Sequence, residues 1–288
     1  GAIAAMAARV SPEGATTPAN VDDLGQRILS AIVLIPLALG AAVAGGPWLA
    51  GAAGAAIVAM TYEWARMTEP KSVPIAWGFG LVGALGGVML ASHDRFPLAL
   101  GWVAIWALAS ALRRRALADV IETAGGVIYV GAPCIAFLWL RAQPGHGQDF
   151  IISLFTIIWS VDVAAYFGGR LIGGPLLWPA LSPQKTYSGT FSGLAAGTLA
   201  AIGLSYAFHA PAITWACLGF VLAACGLAGD LFESGLKRRF GVKDASRLIP
   251  GHGGVLDRLD GMILATSVAS GILALAPSLA PALFGQAS

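Results

Sequence analysis

Apolar runs of roughly 20 residues recur along the chain, separated by short polar breaks, and this spacing predicts nine membrane-spanning helices. They fall at about 28–45, 47–65, 74–91, 96–112, 124–141, 149–169, 190–208, 211–232 and 259–277. The breaks are Gly45 to Pro47, Glu69-Pro70-Lys71, Ser92 to Arg95, Arg113 to Arg115, Gln143 to Asp149 and His209 to Pro211, with two long polar loops at 170–189 and 233–256. Gly45 to Pro47 is read as a turn, with a kink as the alternative. Short alternating segments of the kind that build a membrane barrel are missing from the pattern. The expected fold is an all-α polytopic membrane bundle. It divides into a polar lead (1–27), an N-terminal group of spans (28–141) and a C-terminal group (142–288).

Composition supports this reading. The 288 residues are 57% hydrophobic and only 11% charged, against about 25% charged in a soluble domain. A net charge of +2 is too small to point to nucleic acid. Cys134, Cys217 and Cys225 lie inside apolar runs without a partner motif and read as small buried hydrophobes. With the N-terminus placed in the cytoplasm, every Lys and Arg except Arg95 and Arg141 falls inside, 15 of 17, as the positive-inside rule requires. No strong internal repeat is visible, which weakens a transporter built from inverted halves.

Against this apolar background the stretch from Ser234 to Asp260 is densely polar. Five cations, Lys237, Arg238, Arg239, Lys243 and Arg247, precede a Pro250-Gly251-His252-Gly253-Gly254 turn; Asp257, Arg258 and Asp260 follow it. Glu63, Asp162, Asp230 and Asp257 stand in or at the edge of spans, where carboxylates are expensive and point to function. Asp162 sits seven residues before Gly169, roughly 10 Å into its span at 1.5 Å per residue. Asp230 with Ser234, Glu233 with Lys237, and Asp257 with Asp260 are each one turn apart, so each pair shares a helix face. The glycine-rich turn and the helix start behind it offer backbone amides to an anion. Paired carboxylates beside phosphate oxygens suit Mg²⁺. The plainer alternative is a basic loop drawn to anionic headgroups; it leaves Asp257, Asp260 and the turn unaccounted for. For Glu63, a local ion pair with Arg66 is the expectation, and His252 either contacts phosphate or shapes the loop. A second cluster, Asp162 to Gly189, carries Tyr166, Gly168-Gly169-Arg170 and Ser182-Pro183-Gln184-Lys185-Thr186 on the same predicted side.

The string S-x-x-K-R-x4-K-D-x5-P-G-H-G-G-x-x-D-R-x-D from Ser234 to Asp260 resembles the signature of the phosphatidate cytidylyltransferase (CDP-diacylglycerol synthase) family at every fixed position. Gly229 to Ser234, Asp162 to Arg170 and Ser182 to Thr186 resemble it too. One departure is Ser188, which stands where many members carry Glu. The resemblance implies a membrane bundle in the cell (inner) membrane, a homodimer, and a polar cavity open to the cytoplasm. It further implies a reaction of CTP with phosphatidic acid giving CDP-diacylglycerol and pyrophosphate. On that expectation Asp257, Asp230 and Asp260 hold Mg²⁺ (a second cation could join it), and Lys237 acts with them. Ser234, Arg238, Lys243, Asp244, His252, Gly253, Gly254 and Arg258 contact substrate from one wall; Arg170, Ser182, Lys185, Thr186, Asp162 and Tyr166 contact it from the other. Asp162 is expected to orient Lys185 or a second cation. Rival readings are an ion-coupled transporter, a CTP-dependent lipid kinase, and a CDP-alcohol phosphotransferase. Asp260-Gly261 lacks the following arginine expected of the last.

Overall fold

A computed structural model describes residues 21–285 apart from His252. The expectation placed on His252, and the lead up to residue 20, lie outside the described residues. Among the described residues nine long helices run α1 (Val21–Ala44), α2 (Gly46–Thr68), α3 (Val73–Ala91), α4 (Phe96–Ala111), α5 (Leu117–Arg141), α6 (Gly147–Ile172), α7 (Tyr187–Ala207), α8 (Ala212–Arg239) and α9 (Leu256–Leu275). A short α10 (Leu279–Leu283) follows. Six of these, α3 and α5 to α9, are long and apolar enough to cross a membrane. The all-helical expectation meets one exception. Part of the predicted 170–189 loop is an antiparallel hairpin of β1 (Leu176–Trp178) and β2 (Ser182–Thr186), whose register pairs Leu176 with Thr186.

Helix starts follow local chemistry. Pro47, Pro74 and Pro97 stand in the first turns of α2, α3 and α4, where a missing N–H costs nothing. The ambiguous Gly45 to Pro47 break is a real separation: Gly45 alone divides α1 from α2, at φ +63°.

Two apolar cores organise the bundle. One gathers Ile57, Met60, Val88, Val103, Val130 and Leu256. The other gathers Ile151, Leu154, Ile157, Trp215, Leu222 and Leu273. Helix α9 serves both: Leu256 and Ile263 enter the first, while Met262, Ala265 and Leu273 enter the second. Its N-terminus, which carries Asp257 and Asp260, therefore stands at the seam between the two groups of helices.

A buried carboxylate locks the N-terminal group. Glu69 follows α2, and its side chain is 1% exposed. It accepts from Arg113 Nη2 (3.0 Å), Arg114 Nη1 (3.1 Å), Thr123 Oγ1 (3.2 Å) and Ser72 Oγ (2.9 Å). The break at Arg113 to Arg115 is thus tied to the end of α2 and to α5. Removing one member of a buried pair costs about 3 kcal/mol or more. Glu69→Ala should lower the thermal midpoint in detergent clearly, while Arg95→Ala, an exposed cation outside this network, should leave it unchanged. Equal midpoints for both variants would contradict the assignment.

Candidate active site

The end of α6, the hairpin, the end of α8 and the start of α9 meet at one pole of the bundle. Close backbone contact brings α8 and α9 together. A Cβ at Gly229 would lie 2.5 Å from the Asp260 carbonyl oxygen, and one at Gly261 would lie 3.0 Å from the Gly226 carbonyl. Small residues permit this approach, and it sets Asp230, next to Gly229, beside Asp260.

Within this pole Lys237 forms the densest contact. Its Nζ lies 2.7 Å from Glu233 Oε2, one turn back on α8, and donates to Asp257 Oδ1 at 2.7 Å. Glu233 is 1% exposed, and Lys237 is the cation set against it. Asp257 also accepts from the Gly254 amide (2.8 Å to Oδ2) and the Ala245 amide (3.1 Å to Oδ2). Both of its oxygens are therefore engaged. The tight turn that permits this needs glycine at 253, where φ is +84° and a Cβ would meet Asp257 Oδ2 at 2.9 Å.

The two polar clusters meet directly. Lys185 Nζ on β2 lies 2.7 Å from Asp230 Oδ2 on α8, and Arg238 Nε donates to the Leu181 carbonyl at the hairpin turn (3.3 Å). The expectation for Asp162 is that it orients Lys185 or a second cation. The direct partner of that lysine is Asp230, because β2 lays its side chain toward α8; Asp162 lies within the electrostatic reach of Asp230, Arg258 and Lys185. Asp162, Asp230, Glu233 and Asp260 thus share one field. Asp260 takes a hydrogen bond from the Gly261 amide (2.7 Å).

The other expected residues spread around this centre. Tyr166 and Arg170 are exposed and joined, Arg170 Nη1 donating to the Tyr166 hydroxyl at 2.6 Å. Ser182 opens β2. Thr186 caps α7, its hydroxyl accepting from the Gly189 amide (3.1 Å). Ser188 bonds the Thr186 hydroxyl (2.9 Å) and the Gly173 carbonyl, tying the hairpin to the end of α6. Ser234 is half-buried on α8, while Lys243, Asp244 and Arg258 are exposed at the rim.

Two expectations change. Glu63 forms no ion pair with Arg66, which lies over the Tyr62 ring instead. Its side chain points from α2 to the α9 start, accepting from Ser246 Oγ (2.6 Å), the Val255 amide (2.9 Å) and the Leu256 amide (2.8 Å). The amides expected to cradle an anion behind the glycine turn are therefore held by carboxylates: Gly254 by Asp257, Val255 and Leu256 by Glu63. The Gly253 amide is taken as well, by the Ile249 carbonyl (3.1 Å). Tyr129 of α5 also stands at this pole. Its ring packs against Trp64 (5.4 Å) and Phe232 (5.7 Å), near the charges of Glu233 and Asp260. Nothing local distinguishes it from other apolar-run aromatics.

Among the described residues, no group of three or more His, Cys, Asp or Glu side chains is arranged to hold a metal ion. Mg²⁺ needs only one or two carboxylates when phosphates complete its shell. Asp230 and Asp260 fit that requirement. Asp257 would have to release Lys237 or an amide to join them.

The sequence profile of the Cytidylyltransferase family matches residues 25–276. The chain belongs to this family. Among curated relatives in it, a phosphatidate cytidylyltransferase of Brucella suis is 35% identical over 250 residues, covering 86% of this chain and 92% of its own length. One of Staphylococcus aureus is 32% identical over 247 residues, covering 81% and 93%. The family match runs across both groups of helices, so it takes in Glu63 and Tyr129 as well as the signature.

The close α8–α9 approach carries a prediction. Gly229→Ala drives a methyl into backbone, which cannot rotate away, and overpacking of this kind costs about 1–3 kcal/mol. Its thermal midpoint should fall well below that of Gly203→Ala, where a Cβ meets nothing within 4 Å. Equal midpoints would show that α8 and α9 are not in this contact.

Proposed function

We propose that this chain is an integral-membrane phosphatidate cytidylyltransferase. It joins CTP to phosphatidic acid, giving CDP-diacylglycerol and pyrophosphate. The observation that carries the reading is the meeting of Lys185 with Asp230 and of Lys237 with Asp257, which unites both signature segments at one pole of an apolar bundle. Membership of the family supports it.

The chemistry asks little of an acid or base. A phosphatidate oxygen attacks the α-phosphorus of CTP; the new P–O bond forms as the bond to the bridging β-oxygen breaks, and pyrophosphate leaves. The second pKa of a phosphate monoester is roughly 6, so the nucleophile is largely ionised at neutral pH. The barrier is the approach of two polyanions, which positioning and charge neutralisation lower. Lysine has three N–H donors. With two committed to Glu233 and Asp257, the third N–H of Lys237 is left for a phosphate oxygen. Lys185 and Arg170 serve the lipid phosphate or the departing pyrophosphate. Arg238, Lys243 and Arg258 line the nucleotide side, with Ser234, Asp244, Ser182 and Thr186 as polar contacts. Asp230 and Asp260 would hold Mg²⁺, with Asp257 joining on release of a donor; the ion would neutralise phosphate charge, and a second cation near Asp162 suits the same acidic field.

In this reading the polar pole faces the cytoplasm, the chain crosses the membrane nine times from a cytoplasmic N-terminus, and two copies form a homodimer. The skewed placement of Lys and Arg supports the orientation. The lipid tails then stay in the bilayer while the headgroup meets aqueous CTP.

Radiolabelled CTP, phosphatidic acid and Mg²⁺ with the purified protein should give lipid-bound cytidine and pyrophosphate in equal amounts. CTP-dependent phosphorylation of a lipid, or solute uptake into sealed vesicles without nucleotide, would overturn the reading. Chelation with EDTA should abolish product formation and Mg²⁺ should restore it; full activity in EDTA would remove the metal from the scheme. Asp257→Asn should lose about 100-fold or more in turnover while remaining monodisperse in detergent, and near-normal turnover would remove Asp257 from the site.

A further inference from the structure

Glu63 is fully buried, lies outside the signature segments, and takes no part in the scheme above. A carboxylate without exposure to water persists only if hydrogen bonds replace its hydration. Here three donors do so. Two are the Val255 and Leu256 amides at the α9 start, and the third is the Ser246 hydroxyl from the loop between α8 and α9. The first amides of a helix have no partner within it, and the positive end of the helix favours an anion. Glu63 fills the place of an N-cap side chain, but it arrives from α2, about 190 residues earlier in the chain. Val255, the residue in the cap position itself, has no polar side chain and makes no side-chain cap bond.

The neighbouring turn is shaped to admit this carboxylate. A Cβ at Gly254 would lie 2.8–2.9 Å from Glu63 Oε1, Cδ and Oε2, the three nearest atoms to it. Gly254 has no positive φ. Its backbone would therefore accept alanine, and the obstacle to a side chain there is Glu63. One amide of this same residue holds Asp257 (2.8 Å). Thus Glu63 and Asp257 grip successive amides of one turn, and what shifts Glu63 shifts Asp257, Lys237 and Asp260.

We propose that Glu63 is a positioning residue for the transfer reaction: it caps α9 from the N-terminal group of helices and so fixes where Asp257 and Asp260 stand. The inference rests on the cytidylyltransferase reading. It makes the N-terminal group part of the site's geometry, and it gives the last glycine of the Pro-Gly-His-Gly-Gly turn a role distinct from phosphate contact: room for a buried carboxylate.

The test is a double-variant cycle on CTP- and phosphatidate-dependent product formation, with monodisperse protein in detergent. Displacing catalytic groups by about 1 Å costs up to about 100-fold, so Glu63→Ala and Gly254→Ala should each lower kcat/KM for CTP by about tenfold or more. Each should also raise KM for CTP, a change that a smaller folded fraction would not produce. Without the carboxylate a methyl at 254 meets no obstacle from it, so Glu63→Ala/Gly254→Ala should be no slower than Glu63→Ala alone. Losses that multiply, or a Glu63→Ala enzyme with wild-type kcat and KM, would overturn the proposal. If Glu63→Ala fails to fold, Ser246→Ala carries the test, since it removes one of three donors and leaves helix packing intact. A net hydrogen bond to a charged group is worth roughly tenfold or more, so a fall of about that size with a raised KM is expected, and wild-type kinetics would overturn the proposal. Wild-type protein that makes no lipid-bound cytidine would instead defeat the underlying functional reading.

Discussion

The join between the end of α8 and the start of α9 depends on how Lys237 is held. Glu233 is shut away from water, and an isolated charge there would cost several kcal/mol. Lys237 offsets that by standing 2.7 Å from both Glu233 and Asp257. Because the two carboxylates belong to different helices, the lysine joins the end of α8 to the start of α9 electrostatically as well as sterically. The amides of Ala245 and Gly254 close the arrangement by bonding the far side of Asp257. The loop between the helices, rich in glycine and charge, is thereby drawn into one conformation around a single carboxylate.

The rest of the bundle is arranged so that this clasp can form. Helix α9 lies between two apolar cores and contributes to both, so its N-terminus is fixed from two sides. Glycines at 229 and 261 let α8 approach it at backbone distance. The hairpin swings Lys185 onto Asp230 from the other direction, and Ser188 and Thr186 pin its base to α6 and α7. Glu63 adds a tether from α2. A site assembled from the ends of helices that lie far apart in sequence thus gains rigidity from their packing, as a site built on firm elements should.

Much of this was legible in the sequence and some was not, for physical reasons. Long apolar runs announced the helices because a bilayer demands continuous hydrophobicity. Glu233 and Lys237 announced their pairing because four residues is one helical turn. The hairpin is hidden in the sequence: its strands are short, and Pro183, Gln184 and Lys185 do not alternate as a half-buried strand would. Glu63 was assigned to Arg66, its neighbour at i+3, because local spacing is all that a single chain shows; its true partners at 246, 255 and 256 become visible only in three dimensions. The anion site expected at the glycine turn was chemically sound, since free amides at a helix start attract negative charge. The protein meets that demand with its own carboxylates.

Lys237 and Asp257 form one hydrogen-bonded ion pair, and the proposed transfer reaction requires them to act as one unit. The measurement that tests it most directly is the rate of cytidylyl transfer to phosphatidic acid in Lys237→Ala, Asp257→Ala and the double variant. Residues that act together are strongly non-additive, so the double variant should be no slower than the slower single one. Losses that multiply across the two substitutions would show that each works alone and would contradict the account.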